Sequence, residues 1–213
     1  MNIEINVNYV IFGSIFALLI ILGCYIYKKT RKIVSIHDLP RNPTGIRISG
    51  IVTSISDGDG FKFIHVPLFG SSNYKPTDPK LSIRLAGIDA PETLFYGVPA
   101  QPFSKESKDY LAQLVFNEKV VLDVLSVDRY GRILAIVHKR SYCFSTNINL
   151  EMLREGLACV YKGSDEIYGT YKNEMIEIEK EARENKKGMW AMKNLVLPMD
   201  YKKLRKIKKK TVK

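Results

Sequence analysis

Cysteine is scarce in this chain, and its spacing excludes two classes of cross-linked domain. The 213 residues contain only Cys24, Cys143 and Cys159, with no Cys-x-x-Cys pair and no histidines at a metal-binding spacing. An odd number of widely separated cysteines fits neither a disulfide framework nor a structural zinc site. We therefore expect a reducing compartment, or cysteines without a redox role.

Charge is absent from a long segment near the N-terminus. The 23 residues from Ile5 to Tyr27 carry no charged side chain. As a helix they would span roughly 34 Å, enough to cross a hydrocarbon core of ~30 Å. A buried core helix is the alternative, and so long an uncharged run disfavours it. The segment is followed at once by basic residues, which are Lys28, Lys29, Arg31 and Lys32.

Positive charge is also missing in front of this segment, where Glu4 is the only charged side chain. A cleaved signal peptide has its basic residues before the apolar run, so this order excludes one. We predict a single-pass membrane anchor in residues 1–32, spanning the bilayer at about residues 9–27. The positive-inside rule places the C-terminal part on the non-translocated side.

Acidic residues are missing from the C-terminal end. The chain carries a formal charge of +11, and residues 202–213 hold eight Lys or Arg and no acid, which leaves +3 for the remainder. The basic tail is residues 193–213, and its end YKKLRKIKKKTVK, residues 201–213, is most simply a solvated, disordered run of charge. Contact with nucleic acid or anionic lipid is the second interpretation, and both stay open.

Between a linker at residues 33–45 and this tail, residues 46–192 predict one mainly β domain with helices. Five short strands and an interposed helix fit a small OB-type Greek-key barrel in the α+β class, with about three helices and one preceding transmembrane helix. The strands are expected at Ile46–Ile55, Phe61–Val66, Leu81–Ile88, Val120–Val127 and Ile133–His138. The helices are expected at Ser104–Phe116, with Ser104 as the cap, Ile148–Glu155 and Tyr171–Asn185.

Carboxylates cluster at two turns of this domain. The segment SDGDG contains Asp57 and Asp59, and the segment GIDAPE brings Asp89 and Glu92 around a second turn. Clustered carboxylates repel one another unless a cation lies among them, and hard oxygen ligands suit Ca²⁺ or Mg²⁺. The alternative is that Asp and Gly merely form turns. That is sufficient for the first segment but leaves Glu92 without a role.

Two arginines accompany these acids. Arg84 lies within an apolar strand, where a guanidinium needs an anionic partner, either an internal carboxylate or a substrate. Arg84 and Asp89 are five residues apart and would point to opposite faces of a straight strand. Gly87 predicts a bend that brings them to one site. Arg132 follows a turn, and a surface charge beside a hairpin is its alternative interpretation.

These segments resemble the staphylococcal nuclease (thermonuclease) family. The matching stretches are SDGDGFKF, IRLAGIDAPE, DRYGRILA, NINLEMLREGLACVYKG and EKEARENKKGMW, in the family's order, covering roughly residues 48–191. One departure is Gly60, which stands where the family usually has Thr. The resemblance extends to membrane-anchored yeast members assigned to mitochondria, which implies a mitochondrial membrane for this chain.

The resemblance implies a calcium-dependent endonuclease acting on DNA and/or RNA. It makes Arg84 and Arg132 the residues that hold the phosphodiester, with Tyr130 beside them, and Glu92 the carboxylate that activates water. Asp89 and Asp59 would bind Ca²⁺, with the Ala90 carbonyl as a third ligand. The alternative functions are a non-catalytic OB-fold module that binds nucleic acid or protein, or a membrane tether. We expect no protein partner for the nuclease itself.

Overall fold

The computed structural model describes residues 7–67, 73–94, 99–141, 144–163 and 167–203. Its strands are β1 Arg47–Asp57, β2 Gly60–His65, β3 Leu81–Leu85, β4 Ile88–Asp89, β5 Lys119–Val127, β6 Ile133–Arg140, β7 Ser145–Asn147 and β8 Cys159–Val160. Its helices are α1 Val7–Thr30, α2 Ser104–Val115, α3 Ile148–Arg154, α4 Lys172–Glu184 and α5, residues 198–203. Two 3₁₀ turns lie at Ile36–Asp38 and Gly188–Ala191.

Five strands close into the barrel that the sequence predicted. The sheet runs β3-β2-β1-β5-β6, and a parallel pairing between β3 and β6 joins its two edges. The other barrel pairings are antiparallel. Closure removes exposed strand edges from the barrel, as in an OB-type fold. The three helices after the anchor, α2 to α4, bury apolar side chains against it.

Strand β3 shows why an apolar strand tolerates an arginine. Leu81, Ile83 and Leu85 are fully buried, whereas Ser82 and Arg84 between them are partly exposed. Successive side chains of a strand point to opposite faces, so Arg84 lies on the face away from the barrel core. The guanidinium therefore never enters the apolar interior.

Several local predictions were wrong in detail. The strand expected at Leu81–Ile88 is two strands, because Gly87 adopts φ +76° and ends the ladder of β3. Ser104 is the first residue of α2 rather than its cap, and Phe103 at φ 65° precedes it without a side-chain cap. The short strands β7 and β8 were not expected. They comprise three and two residues, too few to show a period.

Helix α1 stands apart from the barrel core and exposes apolar side chains. Within the described residues, it is the one helix long and apolar enough to span a membrane, with a mean hydropathy of 2.4 over Tyr9–Tyr27 and none of that span buried. The linker that follows lies against the barrel. The Ile33 N–H donates to His65 Nδ1 at 2.9 Å, and Leu39 is buried.

Four predicted features fall wholly or partly outside the described residues. They are residues 1–6 of the anchor segment, residues 68–72 of the loop before β3, Cys143, and residues 204–213 of the basic tail. The other two cysteines are free thiols, Cys24 exposed on α1 and Cys159 buried in β8.

Candidate active site

A tight turn between β3 and β4 brings the two sides of the site together. Gly87 has a left-handed backbone, and a β-carbon there would lie 2.7 Å from Met175 Sδ, so only glycine fits. The buried Asn149 donates from Nδ2 to the Ala86 carbonyl at 2.8 Å, and the Tyr161 N–H donates to the Gly87 carbonyl at 2.9 Å. The predicted irregularity at Gly87 thus exists and is held from two sides.

The turn places Arg84 between two buried aspartates. Arg84 Nη2 lies 2.8 Å from Asp89 Oδ1 and 3.1 Å from Asp59 Oδ2. Asp59 comes from the turn between β1 and β2, where the Leu85 N–H donates to its carbonyl at 2.8 Å. Three separate segments therefore converge, and the anionic partners expected for Arg84 are internal carboxylates, Asp59 of SDGDG and Asp89 of GIDAPE.

Burial dominates the electrostatics of this cluster. It raises the pKa of Asp59 to about 6, although attraction to Arg84 opposes the shift. Burial also raises the pKa of Asp89, and the nearby charge of Asp59 adds to that effect. For Arg84 burial acts to lower the pKa, but attraction to Asp59 and Asp89 outweighs it, and the net pKa is raised. The guanidinium is permanently charged.

The buried Gln101 positions Glu92 by hydrogen bonds to its backbone. Gln101 Oε1 accepts from the Glu92 N–H at 3.1 Å, and the Gln101 N–H donates to the Glu92 carbonyl at 2.8 Å. Gln101 is only 4% exposed. Its Nε2 also donates to the Val196 carbonyl at 2.6 Å, so the same side chain links the Glu92 loop to the C-terminal segment.

A lysine from α5 completes the cluster. Lys202 Nζ lies 2.7 Å from Asp89 Oδ1 and 3.1 Å from Glu92 Oε1. Burial acts to lower its pKa, but attraction to Asp89, Asp59 and Glu92 outweighs that effect and the pKa is raised. The prediction of a solvated, disordered run was therefore wrong at Lys202, which lies in α5 and is held among carboxylates.

Arg132 and Tyr130 form a separate group beside this cluster. Arg132 Nε donates to Asp128 Oδ2 at 2.8 Å, and its guanidinium lies 5.5 Å from the centre of the Tyr130 ring. Among the described residues, its ion pair is with Asp128 and not with the acids around Arg84. The next residue, Ile133, pairs with Ile83, the neighbour of Arg84. Arg132 thus immediately precedes β6, the strand adjacent to the one that carries Arg84.

Comparison with known proteins gives a family match and several similar relatives. Residues 82–192, half of the chain, match the family described as "Staphylococcal nuclease homologue". The chain is 36% identical to "Probable endonuclease LCL3" of Komagataella phaffii over 74% of this chain and 75% of that protein. It is also 36% identical to "Probable endonuclease lcl3" of Schizosaccharomyces japonicus over 93% of both, and 30% identical to "Endonuclease Htp3" of Saprolegnia parasitica over 84% and 87%.

The chain belongs to the staphylococcal nuclease family. It is accordingly a phosphodiester hydrolase, as the sequence predicted, and the names of its relatives support an endonuclease. Within this nuclease, the catalytic and metal-binding roles of Arg84, Arg132, Glu92, Asp89 and Asp59 stay predictions, now with a geometry attached.

The carboxylates of Asp59 and Asp89, the acidic cluster, are chemically suited to bind a divalent cation. Asp89 Oδ2 is buried and has no hydrogen-bond partner, so one carboxylate oxygen is left unsatisfied. In the described part of the chain, no three His, Cys, Asp or Glu side chains converge as a preformed metal site. A cation here would therefore need backbone carbonyl or water oxygens besides Asp59 and Asp89, as is usual for Ca²⁺.

The structure of this nuclease explains why position 60 is a glycine. It pairs with Arg84 across β2 and β3, and a β-carbon there would lie 2.7 Å from Asp57 Oδ1. A threonine at this position would require the Asp57 carboxylate to move. The glycine thus leaves room for the Asp57 carboxylate in the turn that carries Asp59.

Besides Lys202, sequence reasoning missed three residues that shape the site. Gln101 and Asn149 act through hydrogen bonds to backbone groups distant in sequence, and such contacts leave no local pattern. Tyr161 lies with its ring centre 5.7 Å from the Arg84 guanidinium, close enough for a cation–π contact. The only available signal was the resemblance, since GLACVYKG, which includes Tyr161, is among the matching stretches.

Proposed function

We propose that this nuclease is a calcium-dependent endonuclease of DNA and/or RNA, anchored to a membrane by α1. The observation that carries the catalytic part is the convergence of Arg84, Asp59 and Asp89. Glu92 belongs to the same group because Lys202 contacts both Asp89 and Glu92. A phosphodiester is anionic and resists attack by hydroxide. Positive charge beside the phosphate reduces its repulsion of the nucleophile, and a nearby base generates that nucleophile from water.

In this proposal each side chain has one task. The Arg84 guanidinium offers two parallel N–H donors to the phosphate, and Arg132 offers a second fork from the neighbouring strand. Glu92 accepts the proton of the attacking water. Asp89 and Asp59, with the Ala90 carbonyl, would hold Ca²⁺, which supplies further positive charge to the developing dianion.

Tyr130 is the proposed contact for the nucleic-acid substrate beyond the scissile phosphate. Its ring is 70% exposed and lies between two guanidiniums, 5.0 Å from Arg129 and 5.5 Å from Arg132. An exposed aromatic ring flanked by cations suits stacking with a base while the cations meet the phosphates. The basic tail, with eight Lys or Arg in residues 202–213, would add nonspecific attraction to nucleic acid or anionic lipid.

The membrane part of the proposal rests on α1. Its span Tyr9–Tyr27 exposes apolar side chains that no described residue covers. Such a surface is unstable in water and stable in a bilayer. The basic residues after it favour placing the nuclease domain on the non-translocated side. A mitochondrial membrane is supported by the family resemblance alone.

The test is hydrolysis of plasmid and single-stranded DNA by the full chain in detergent, with Ca²⁺ and with excess chelator. The proposal predicts cleavage with Ca²⁺, none with chelator, and none for Asp89→Ala, which should remain folded. Exposed Asp109 provides the control variant Asp109→Ala, which should cleave normally. Undiminished cleavage in chelator would contradict the calcium requirement. Binding of DNA without any cleavage would instead indicate a non-catalytic OB-fold module.

A further inference from the structure

The C-terminal strap, residues 196–203, is fastened over the site by contacts that do not involve Lys202. The Val196 carbonyl accepts from Gln101 Nε2 at 2.6 Å, and the Tyr201 hydroxyl donates to the Pro99 carbonyl at 2.7 Å. Pro198 is buried. Both contacts join the strap to Pro99 and Gln101, which follow Glu92 in the chain, and so hold α5 with one of its side chains facing the acids.

Lys202 is the side chain that faces them, and its partners are the residues assigned to the metal and the water. Its ammonium contacts Asp89 Oδ1 at 2.7 Å and Glu92 Oε1 at 3.1 Å. A divalent cation bound to Asp89 would face this ammonium at short range, where like charges repel strongly. Lys202 Nζ contacts Oδ1 of Asp89, and a cation on the unsatisfied Oδ2 would share that carboxylate with the ammonium, so the two cations compete.

Comparison with Lys203 shows that the contact with the acids is made by Lys202 in particular and not by every lysine of α5. Lys203 is exposed and pairs with Asp200 on its own helix. Lys202 is only 32% exposed and reaches carboxylates more than a hundred residues earlier in the chain. The strap therefore directs one defined ammonium into the site, while the next basic side chain remains in solvent.

Few buried contacts hold the strap in place. A cavity of about 220 Å³ lies beside it, lined by Leu197 and Met199 of the strap and by Cys159 and Glu179 of the domain. Its attachments are a few hydrogen bonds and ion pairs, with Pro198 as its one fully buried residue. Segments with few buried apolar contacts open at a lower free energy than the core does.

We propose that the strap is an autoinhibitory element, in which Lys202 Nζ holds the cation position of the site and must leave before Ca²⁺ and substrate bind. The inference rests on the proposed function, because it assumes that Asp89 binds Ca²⁺. Calcium then binds only the open fraction of molecules, and its apparent affinity falls in proportion to that fraction. Removing the ammonium should restore the intrinsic affinity.

The first test is calorimetric titration of Ca²⁺ into the full chain in detergent, for wild type, Lys202→Met and Lys203→Met. If the strap is closed in 90–99% of molecules, Lys202→Met should bind Ca²⁺ about 10- to 100-fold more tightly. Lys203→Met removes the same charge one residue away and should bind within about twofold of wild type. Lys202→Gln, which keeps a polar end, should behave as Lys202→Met does, and thermal unfolding confirms that each variant is folded.

The second test measures the position of the ammonium directly, without activity or calcium affinity. Brief acetylation of lysine amines in the wild-type chain, read by mass spectrometry, compares Lys202 with Lys203. In chelator Lys202 should react several-fold more slowly than Lys203, because its amine is engaged in the site. Saturating Ca²⁺ should remove that protection while Lys203 stays unchanged.

The outcomes separate this inference from the proposed function. Tight Ca²⁺ binding by wild type, no gain in Lys202→Met and equal reactivity of the two lysines would overturn the autoinhibitory strap and leave the calcium nuclease standing. Absence of Ca²⁺ binding in every variant would overturn both. Binding by Lys202→Met but not by wild type would support the strap in its strongest form.

Discussion

At the scale of single residues, the buried acids of the site oppose folding. The pKa of Asp59 is raised to about 6 by burial, against an ordinary value near 3.8. The folded chain therefore holds a proton that the unfolded chain has lost between about pH 4 and pH 6, so stability falls as pH rises through that window. A shift of about two pKa units corresponds to a cost on the order of 2–3 kcal/mol above pH 6.

Replacing this carboxylate should stabilise the calcium-free protein. Asp59→Asn should raise the free energy of unfolding by about 1–3 kcal/mol at pH 7.5, and the gain should vanish near pH 4, where both side chains are neutral. Urea unfolding at both pH values measures this. The exposed Asp109→Asn is the control and should change stability little. A gain that is the same at pH 4 and pH 7.5 would show that titration of Asp59 is not its cause.

The variant Arg84→Lys tests whether Arg84 acts in the reaction or only stabilises the fold. Arg84→Lys keeps the charge but loses the planar pair of donors, so a contact that tightens in the transition state is weakened. We expect kcat to fall on the order of 10²–10³-fold, with a smaller change in KM. Steady-state kinetics and thermal unfolding on this one variant decide the matter. Turnover within a few fold of wild type, with a lowered melting temperature, would make Arg84 a structural partner of the aspartates.

At the scale of elements, the turn between β3 and β4 holds the site together. Gly87 needs a left-handed backbone and has no space for a side chain, because Met175 Sδ lies 2.7 Å from the β-carbon position. Gly45 has a similar φ of +83°, but nothing lies within 4 Å of its β-carbon position. The two glycines therefore separate backbone strain from steric crowding.

Gly87→Ala should cost more stability than Gly45→Ala. The backbone term alone is about 1–2 kcal/mol, and overpacking adds about 1–3 kcal/mol at Gly87 only. Urea unfolding should thus show a loss of about 2–5 kcal/mol for Gly87→Ala against about 1–2 kcal/mol for Gly45→Ala. Equal losses in the two variants would mean that Met175 and its neighbours yield without cost.

The elements that could be predicted from sequence are those with a regular period. The barrel strands alternate apolar and polar residues, and the buried face of α4, with Met175, Ile178 and Ala182, repeats at helical spacing. The proximity of Arg84 and Asp89 could also be predicted, because Gly87 between them indicates a bend that corrects their opposite facing in a straight strand. Lys202 could not be predicted, because an ion pair with a residue more than a hundred positions away leaves no trace in the local pattern of a basic run.

At the scale of the whole molecule, the anchor and the barrel are structurally separable. The linker contact from Ile33 to His65 and the burial of Leu39 lie after residue 32. Only two described ion pairs would be lost with residues 1–32, between Arg31 and Asp38 and between Lys32 and Asp78. Such surface pairs contribute about 0–1 kcal/mol each.

Deleting residues 1–32 should therefore release a folded domain. We expect the shortened chain in the soluble fraction after cell lysis, with unfolding in urea changed by no more than about 1–2 kcal/mol. Sedimentation with membranes after a high-salt wash measures the first point, since salt weakens attraction of the basic tail to lipid. A shortened chain that still sediments would show that α1 is not the sole attachment to the membrane.

Glu92→Gln tests the nuclease chemistry most directly, because it removes the proposed base while retaining the shape and the backbone contacts with Gln101. With saturating Ca²⁺, turnover on single-stranded DNA should fall about 10²–10⁴-fold, the usual contribution of a general base. Exposed Glu177 on α4 provides the control variant Glu177→Gln, which should retain full turnover. Turnover of Glu92→Gln within a few fold of wild type would contradict the assignment of the site.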